Sequence, residues 1–117
     1  MSEPQKDFVV YEHHAKDLGV FTITPLEGTL VGSKAFFRVG YRDETIVDLD
    51  STISTEISWS VDVATGVATG NLNLSATTID SLRYGENEWQ LTIELQSGHQ
   101  IVGVFGVIDK KRALDAL

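Results

Sequence analysis

The sequence predicts an all-β fold, an antiparallel β-sandwich with one short helical turn near residues 75–84 and a second short helical turn at the C-terminus. Three observations predict it. Apolar and polar residues alternate in two long segments, turn residues separate several short apolar runs, and a single internal stretch changes to a helical period. Alternation of this kind is typical of strands with one covered face and one wet face, as in antiparallel sheets.

The first third of the chain predicts three strands. Residues 1–7 are polar and are expected to form a loose arm. Phe8–Tyr11 and Leu18–Thr24 are short apolar runs that fit edge strands, and Pro25 ends the second because proline cannot donate to a β-ladder. The order KAFFRVGY over Lys34–Tyr41 places alternate side chains on opposite faces and predicts the third strand.

An acidic segment and a hairpin follow. Ile53–Val63 alternates apolar with polar side chains, broken only at Thr55, which predicts a long half-buried strand. Ala64–Gly66 provides a three-residue turn, and Val67–Leu74 runs back to complete the hairpin. Four carboxylates before this hairpin are expected in a solvated loop: Asp43, Glu44, Asp48 and Asp50.

The segment after the hairpin changes period. Ser75 fits a helix N-cap, Ile79 and Leu82 sit three residues apart, and Tyr84-Gly85 supplies a stop signal. These features predict one or two helical turns.

Two more strands end the predicted sandwich. Trp89–Leu95 alternates again and predicts a half-buried strand. Gln100–Ile108 is apolar on both faces, which indicates a central strand, and its glycines, Gly103 and Gly106, are expected to admit a close neighbour or to mark a bulge.

We expect one domain over residues 1–117, since this length is near the common domain size. It divides into the arm at 1–7, a sandwich over 8–108 and a terminal segment over 109–117. Short strands with turn signals and one helical interruption indicate an immunoglobulin-like architecture. Cysteine is absent, so the disulfide of antibody domains is not part of this prediction.

Composition excludes several classes of function. The formal net charge is -8, and no lysine or arginine lies among the seven acidic residues from Asp43 to Asp80, so we expect no nucleic-acid binding. The apolar run Ile101–Ile108 is far shorter than the roughly 20 residues that cross a bilayer, and the N-terminus lacks a signal pattern, so no membrane partner is expected. The missing cysteines exclude thiol chemistry and point to folding in a reducing cytoplasm.

No residue pattern predicts an active site, a cofactor or a metal. His13 and His14 lie near Glu12 and Asp17, but adjacent histidines on a strand point to opposite faces, so surface histidines are the preferred interpretation. The four carboxylates of the acidic segment do not have the spacing of an EF-hand loop. Neither a GxSxG elbow nor a phosphate-binding glycine loop occurs. We therefore expect a protein that is not an enzyme.

Trp59 and Trp89 have two interpretations. Exposed indole rings stack on sugars, yet both residues are in phase with the apolar sides of their strands, which favours burial in the core.

The segment from Ile46 to Ile108 resembles the immunoglobulin-like sandwich domains of structural proteins of tailed bacteriophages, notably the N-terminal domain of baseplate upper proteins and related small tail components. The resemblance lies in IVDLD, in ATGVATGNLNLSAT, in LRYGENEWQLTIEL and in IVGVFGVI. It implies a virion structural protein of the tail, baseplate or neck, assembled in the host cytoplasm. Such a protein binds other virion proteins and copies of itself in a ring, and carries no catalytic residues.

Two alternatives remain open at this point: a carbohydrate-binding or host-adhesion module, and a capsid decoration protein. The first 33 residues and the KKRALDAL end depart from the resemblance, and apolar side chains beside free termini are natural docking points. Six residues are therefore predicted to dock partners: Phe8, Val9, Tyr11, Ala113, Leu114 and Leu117.

Overall fold

The strands form two sheets that pack as a sandwich. The computed structural model describes residues 5–25 and 28–113. Within these ranges the chain forms eight strands and one helix. Their bounds are β1 Phe8–Tyr11, β2 Lys16–Ile23, β3 Lys34–Tyr41, β4 Glu44–Asp50, β5 Ile57–Val61, β6 Ala68–Leu74, α1 Ala76–Ser81, β7 Gly85–Glu94 and β8 Gln100–Lys111.

The larger sheet has five strands in the order β1-β8-β7-β3-β4, and the smaller has three in the order β2-β6-β5. All neighbours are antiparallel except β1 and β8, which run parallel with Phe8 opposite Ile108. The prediction of a purely antiparallel sandwich is therefore wrong at this pair. All the other strands lie between β1 and β8 in the sequence, so no hairpin turn joins these two strands and requires an antiparallel pairing.

The core lies between the sheets around Trp89, which is 2% exposed. Its ring centroid lies 5.8 Å from that of Phe8, 5.9 Å from that of Phe21 and 5.6 Å from that of Phe37. These rings come from β1, β2 and β3, so one side chain of β7 contacts both sheets. Alternate residues of the strands are buried and form the rest of the core, as the period-two patterns predict.

The predicted helical turn and the glycine-bearing strand are confirmed. Ser75 caps α1, and its Oγ accepts a hydrogen bond of 3.2 Å from the Thr78 amide. Strand β8 bulges at Gly103, which the register with β7 skips. A Cβ atom built on Gly106 would lie 1.7 Å from the Lys6 carbonyl oxygen and 2.9 Å from Trp89 Nε1. Gly106 thus admits both the main chain of the N-terminal segment and a bulky aromatic side chain.

The predicted strand Ile53–Val63 is shorter in the structure, where β5 covers only Ile57–Val61. Ile53 is 82% exposed and Val63 is 80% exposed, so neither belongs to the buried face. At the first end the amides of Ile53 and Ser54 donate to the Asp50 carbonyl in a turn. At both ends of β5 backbone N–H and C=O groups hydrogen-bond within turns and not in a strand ladder. The alternation of apolar and polar side chains nevertheless continues through these turn residues.

The acidic segment is a strand rather than a loop. Residues 44–50 form β4 and pair with β3, and the two strands are joined by the two-residue turn Arg42-Asp43. Arg42 has φ of 50° and Asp43 has φ of 66°. Positive φ at both central residues is the type I′ geometry of tight hairpins, usually signalled by Asn-Gly or Asp-Gly. Because Arg42-Asp43 contains no glycine, this turn could not be predicted from the sequence.

Both predicted terminal segments also differ from expectation. Residues 5–7 are not loose: the Lys6 amide donates to the Phe105 carbonyl at 2.8 Å, and Asp7 Oδ1 accepts from the Val107 amide at 2.9 Å. Strand β8 continues to Lys111, so residues 109–111 are strand, and within the described chain a helical conformation of 3₁₀ type is found only at Ala113. Leu114 and Leu117 lie outside the described residues.

We predict that Gly106→Ala destabilises the protein by about 2 kcal/mol or more, because the new methyl group must displace the Lys6 carbonyl. The matched control is Gly40→Ala, also a strand glycine of the larger sheet, where the nearest atom to an added Cβ, the Glu44 carbonyl oxygen, is 3.4 Å away. Denaturant unfolding followed by tryptophan fluorescence measures both. Equal losses of stability in the two variants would contradict the prediction.

Candidate functional site

The larger sheet has one face in the core and one face that no described element covers. We call the second the outer face, defined by side chains of β3, β7 and β8 that alternate with core residues: Phe36, Arg38, Gln90, Thr92, Val102 and Phe105. The register sets Thr92 between Phe36 and Val102, and Gln90 between Arg38 and Phe105. Thr92 is only 3% exposed, so its neighbours close over it. The middle of this face is therefore well packed, and Gln90 Nε2 donates to Thr92 Oγ1 at 2.9 Å there.

A depression of about 670 Å³ opens on the outer face above Gly40. The register places Gly40 between Glu88 of β7 and Thr45 of β4, so the row lacks one side chain at its centre. Phe105 and Val107 of β8 line the far side of the depression. The absence of a side chain at Gly40, between Glu88 and Thr45, is what makes this face concave.

The rim of the depression is negatively charged. Arg38 is the base that lines it, and its guanidinium is engaged by Asp48 at 3.3 Å and stacks over the Phe36 ring at 4.8 Å. Asp43, Glu44 and Glu88 also line it. Within the described part of the chain, none of these three carboxylates has a basic group within 4.0 Å. The depression therefore attracts cations and repels anions.

The sequence alone does not single out these residues, although it contains one signal. The order KAFFRVGY puts Phe36 on the face opposite to the core residues of the same strand. A large aromatic side chain on a face expected to be wet is the residue type that interfaces favour. The depression itself depends on the pairing of β3 with both β4 and β7, which one strand pattern does not contain.

The predicted docking residues of β1 divide between its two faces. Phe8 points inward and packs on Trp89. Val9 is 42% exposed, and Tyr11 is half-buried. These two lie on the same side of the larger sheet as the outer face, at its β1 edge.

At the other terminus, Ala113 is half-buried. Its amide donates to Glu12 Oε1 at 3.0 Å. Leu114 and Leu117 cannot be placed, since they are outside the described residues.

Polar groups at one end of the sandwich form what we call the terminal clamp: Glu12, His13, Asp80, Tyr84 and Ala113. Glu12 accepts from the Tyr84 hydroxyl and from the Ala113 amide, and Asp80 accepts from the His13 amide at 2.7 Å and contacts His13 Nδ1 at 3.0 Å. The hydrogen bond from Tyr84, and then that from Ala113, lower the pKa of Glu12 below its ordinary value. The amide and ring of His13 lower the pKa of Asp80. The clamp thus joins the β1–β2 connection to α1 and to the end of β8.

The candidate metal ligands near the N-terminus are not gathered into a site. His14 Nδ1 lies 2.8 Å from the Glu12 carbonyl oxygen, and Asp17 Oδ1 accepts from the Gly19 amide. Across residues 5–25 and 28–113, no three histidine or carboxylate side chains come close enough to hold a metal ion.

Lys110 is a basic residue near the end of β8. It is buried, and its Nζ donates to the carbonyls of Asp80 at 3.1 Å and Leu82 at 2.9 Å. These carbonyls lie at the end of α1, so the ammonium group satisfies acceptors that a helix end leaves unpaired. The ammonium also lies 4.7 Å from the Tyr84 ring centroid. Lys110 is therefore part of the scaffold.

The two tryptophans have different environments. Trp89 is buried, whereas Trp59 is half-buried and donates from Nε1 to Ser33 Oγ at 3.1 Å. The Trp59 ring covers Gly70, where an added Cβ would lie 3.1 Å from it. Both indole N–H groups have partners within the protein.

No protein-family model matches the chain, and no curated protein is significantly similar to it in sequence. The one helix described has six residues, so no helix in this part of the chain could cross a membrane.

We predict that acid opens the terminal clamp. A carboxyl whose pKa is lowered in the folded state stabilises the fold at pH values above its ordinary pKa, which is 4.5 for Glu12 and 3.8 for Asp80. That stabilisation is lost as the pH falls through the lowered pKa. The Ala113 amide should therefore lose protection from hydrogen exchange on titration from neutral pH through that range. Glu12→Gln should reduce protection of Ala113 already at pH 7, whereas Glu86→Gln, an exposed β7 position, should leave it unchanged. Identical protection at pH 7 in all three proteins would contradict this role of Glu12.

Proposed function

We propose that the chain is a non-enzymatic structural protein of a tailed-bacteriophage virion, acting in the tail, baseplate or neck through protein–protein contacts. The observation that carries the assembly role is the outer face. Phe36 and Phe105 stand on a sheet face that no described element covers, with charged side chains around them. Aromatic residues at the centre and charged residues at the rim are typical of protein interfaces. The phage assignment itself comes from the sequence resemblance.

We also propose that the sandwich is immunoglobulin-like. In that architecture strands C, F and G form one sheet, extended by C′ in variable-type domains, while B, E and D lie in the other. The order β4-β3-β7-β8 against β2-β6-β5 fits this scheme. Phe21 and Trp89 pack together on β2 and β7, which correspond to the strands that the antibody disulfide joins.

A carbohydrate-binding or host-adhesion role has less support. Such a role needs an indole ring open to solvent, and Trp89 is in the core while Trp59 packs on Gly70. A capsid decoration protein would use the same outer face, so it differs from the leading proposal only in its position on the particle. In each of these assemblies the partners are other virion proteins and further copies of the chain, which we propose form a ring.

We predict that Phe36→Ser prevents incorporation into particles while the protein stays folded. The ring is half-buried on the outer face, so its loss removes a contact of the proposed interface. The matched control is Val20→Ser, which removes an exposed apolar side chain from the smaller sheet. Mass spectrometry of purified particles should find at least tenfold less of the Phe36 variant and normal amounts of the Val20 variant.

Cryo-electron density of the same particles locates the chain. Density in tail, baseplate or neck supports the proposal, and density on the capsid shell replaces it with decoration. Complete absence of the wild-type chain from particles, or full incorporation of the Phe36 variant, would overturn it. A glycan array with the wild-type protein tests the adhesion alternative directly.

A further inference from the structure

We propose that the depression above Gly40 binds a lysine or arginine side chain on an extended segment of a partner protein. This inference rests on the proposed function only in that the partner is a protein. It adds where that partner contacts the chain and which side chains it must present.

The shape of the depression suits a long, thin side chain. Gly40 leaves an open position between Glu88 and Thr45 in the row that crosses β7, β3 and β4. Across β7 the same row continues to Val107, and Phe105 lies one row away. Lysine and arginine bury their alkyl stems on such apolar walls and keep their charged ends near polar groups.

The charge of the depression selects a cation. Asp43, Glu44 and Glu88 line it without a basic partner among the described residues, and the competing Arg38 is held by Asp48. The Phe105 ring adds an aromatic surface on which an ammonium or guanidinium group gains further attraction. Since these carboxylates and the apolar walls lie in one concavity, they recognise both the stem and the charge of a basic side chain.

A free metal ion and a second copy of the chain fit less well. No three carboxylate or histidine side chains of the described residues approach closely enough for a metal. A second copy carries a formal charge of -8, and several bases it could offer are in use: Lys34 with Glu94, Arg38 with Asp48 and Lys111 with Asp109. A separate basic protein segment is therefore the complementary partner. An extended segment places alternate side chains on one side, which suits a face built from strands.

The test uses two synthetic eight-residue peptides with the full-length protein. One alternates lysine with threonine and the other alternates glutamate with threonine, and binding is followed by ¹⁵N chemical shifts at low salt. The lysine peptide should shift the amides of Gly40, Thr45 and Glu88, and the glutamate peptide should shift none. A lysine peptide that moves amides evenly over all acidic surfaces, or that does not bind, overturns the proposal.

Two matched variants separate this site from general attraction. Glu88→Gln removes one carboxylate of the depression and should weaken binding of the lysine peptide about fivefold. Glu86→Gln makes the same change on the same strand outside the depression and should weaken it much less. Equal weakening by Glu86→Gln would show that net charge alone binds the peptide and would overturn the proposal.

The outcome is independent of the test of the proposed function. If the chain enters particles but does not bind the lysine peptide, the proposed site is overturned and the proposed assembly role stands. If the chain binds the peptide at the depression but is absent from particles, the proposed site stands and the phage assignment is overturned.

Discussion

The hydrogen bond from the Trp89 indole to the Lys6 carbonyl, 2.9 Å long, is the constraint on which the sandwich depends. Trp89 fills the centre of the core and contacts rings from both sheets, so its polar N–H lies where water does not reach. A buried donor without a partner costs about 1–3 kcal/mol. The partner is main chain, and it approaches closely enough only because residue 106 is glycine. The packing of Trp89, the direction of the N-terminal segment and the glycine at position 106 therefore all depend on this hydrogen bond.

This hydrogen bond also decides how the N-terminal segment runs. Once the Lys6 carbonyl is held over Gly106, residues 5–7 follow β8, and β1 continues beside it in parallel from Phe8. The edge of β8 is therefore covered from Phe105 to Lys111. At the opposite edge of the sheet, β4 carries Glu44, Asp48 and Asp50, and charged edge strands resist pairing with other chains. With these edges protected, the face of the sheet is the surface left for a partner.

Much of the fold could be predicted from local patterns. The edge strand Phe8–Tyr11, the hairpin of β5 and β6, the Ser75 cap and the roles of Gly103 and Gly106 follow from alternation, capping and turn chemistry. Each sequence signal lies in residues close together in the chain, although the Lys6 carbonyl that approaches Gly106 comes from a distant segment. The resemblance to phage proteins and the function drawn from it stay predictions.

The remaining features depend on contacts between distant segments. Asn87 is fully buried because its amide spans Arg83, Gly85 and Ile108, and the last of these lies 21 residues away. Lys110 is buried because the end of α1 supplies its acceptors. In sequence both look like surface residues. The depression was missed for the same reason, since it needs three paired strands to place a glycine between two longer side chains.

The solvent-facing sides of the two sheets differ in a way that supports the proposal that the larger sheet binds a partner. Apart from the exposed Val20, the face of the smaller sheet carries short uncharged groups on paired positions, namely Ser58 with Asn71 and Ser60 with Thr69. Such groups hydrogen-bond readily to water and provide little area or charge for a partner. The face of the larger sheet offers aromatic rings, a concavity and three carboxylates without basic partners among the described residues. Binding energy concentrates where large side chains and unbalanced charge coincide, so the larger sheet is the side that should face a partner.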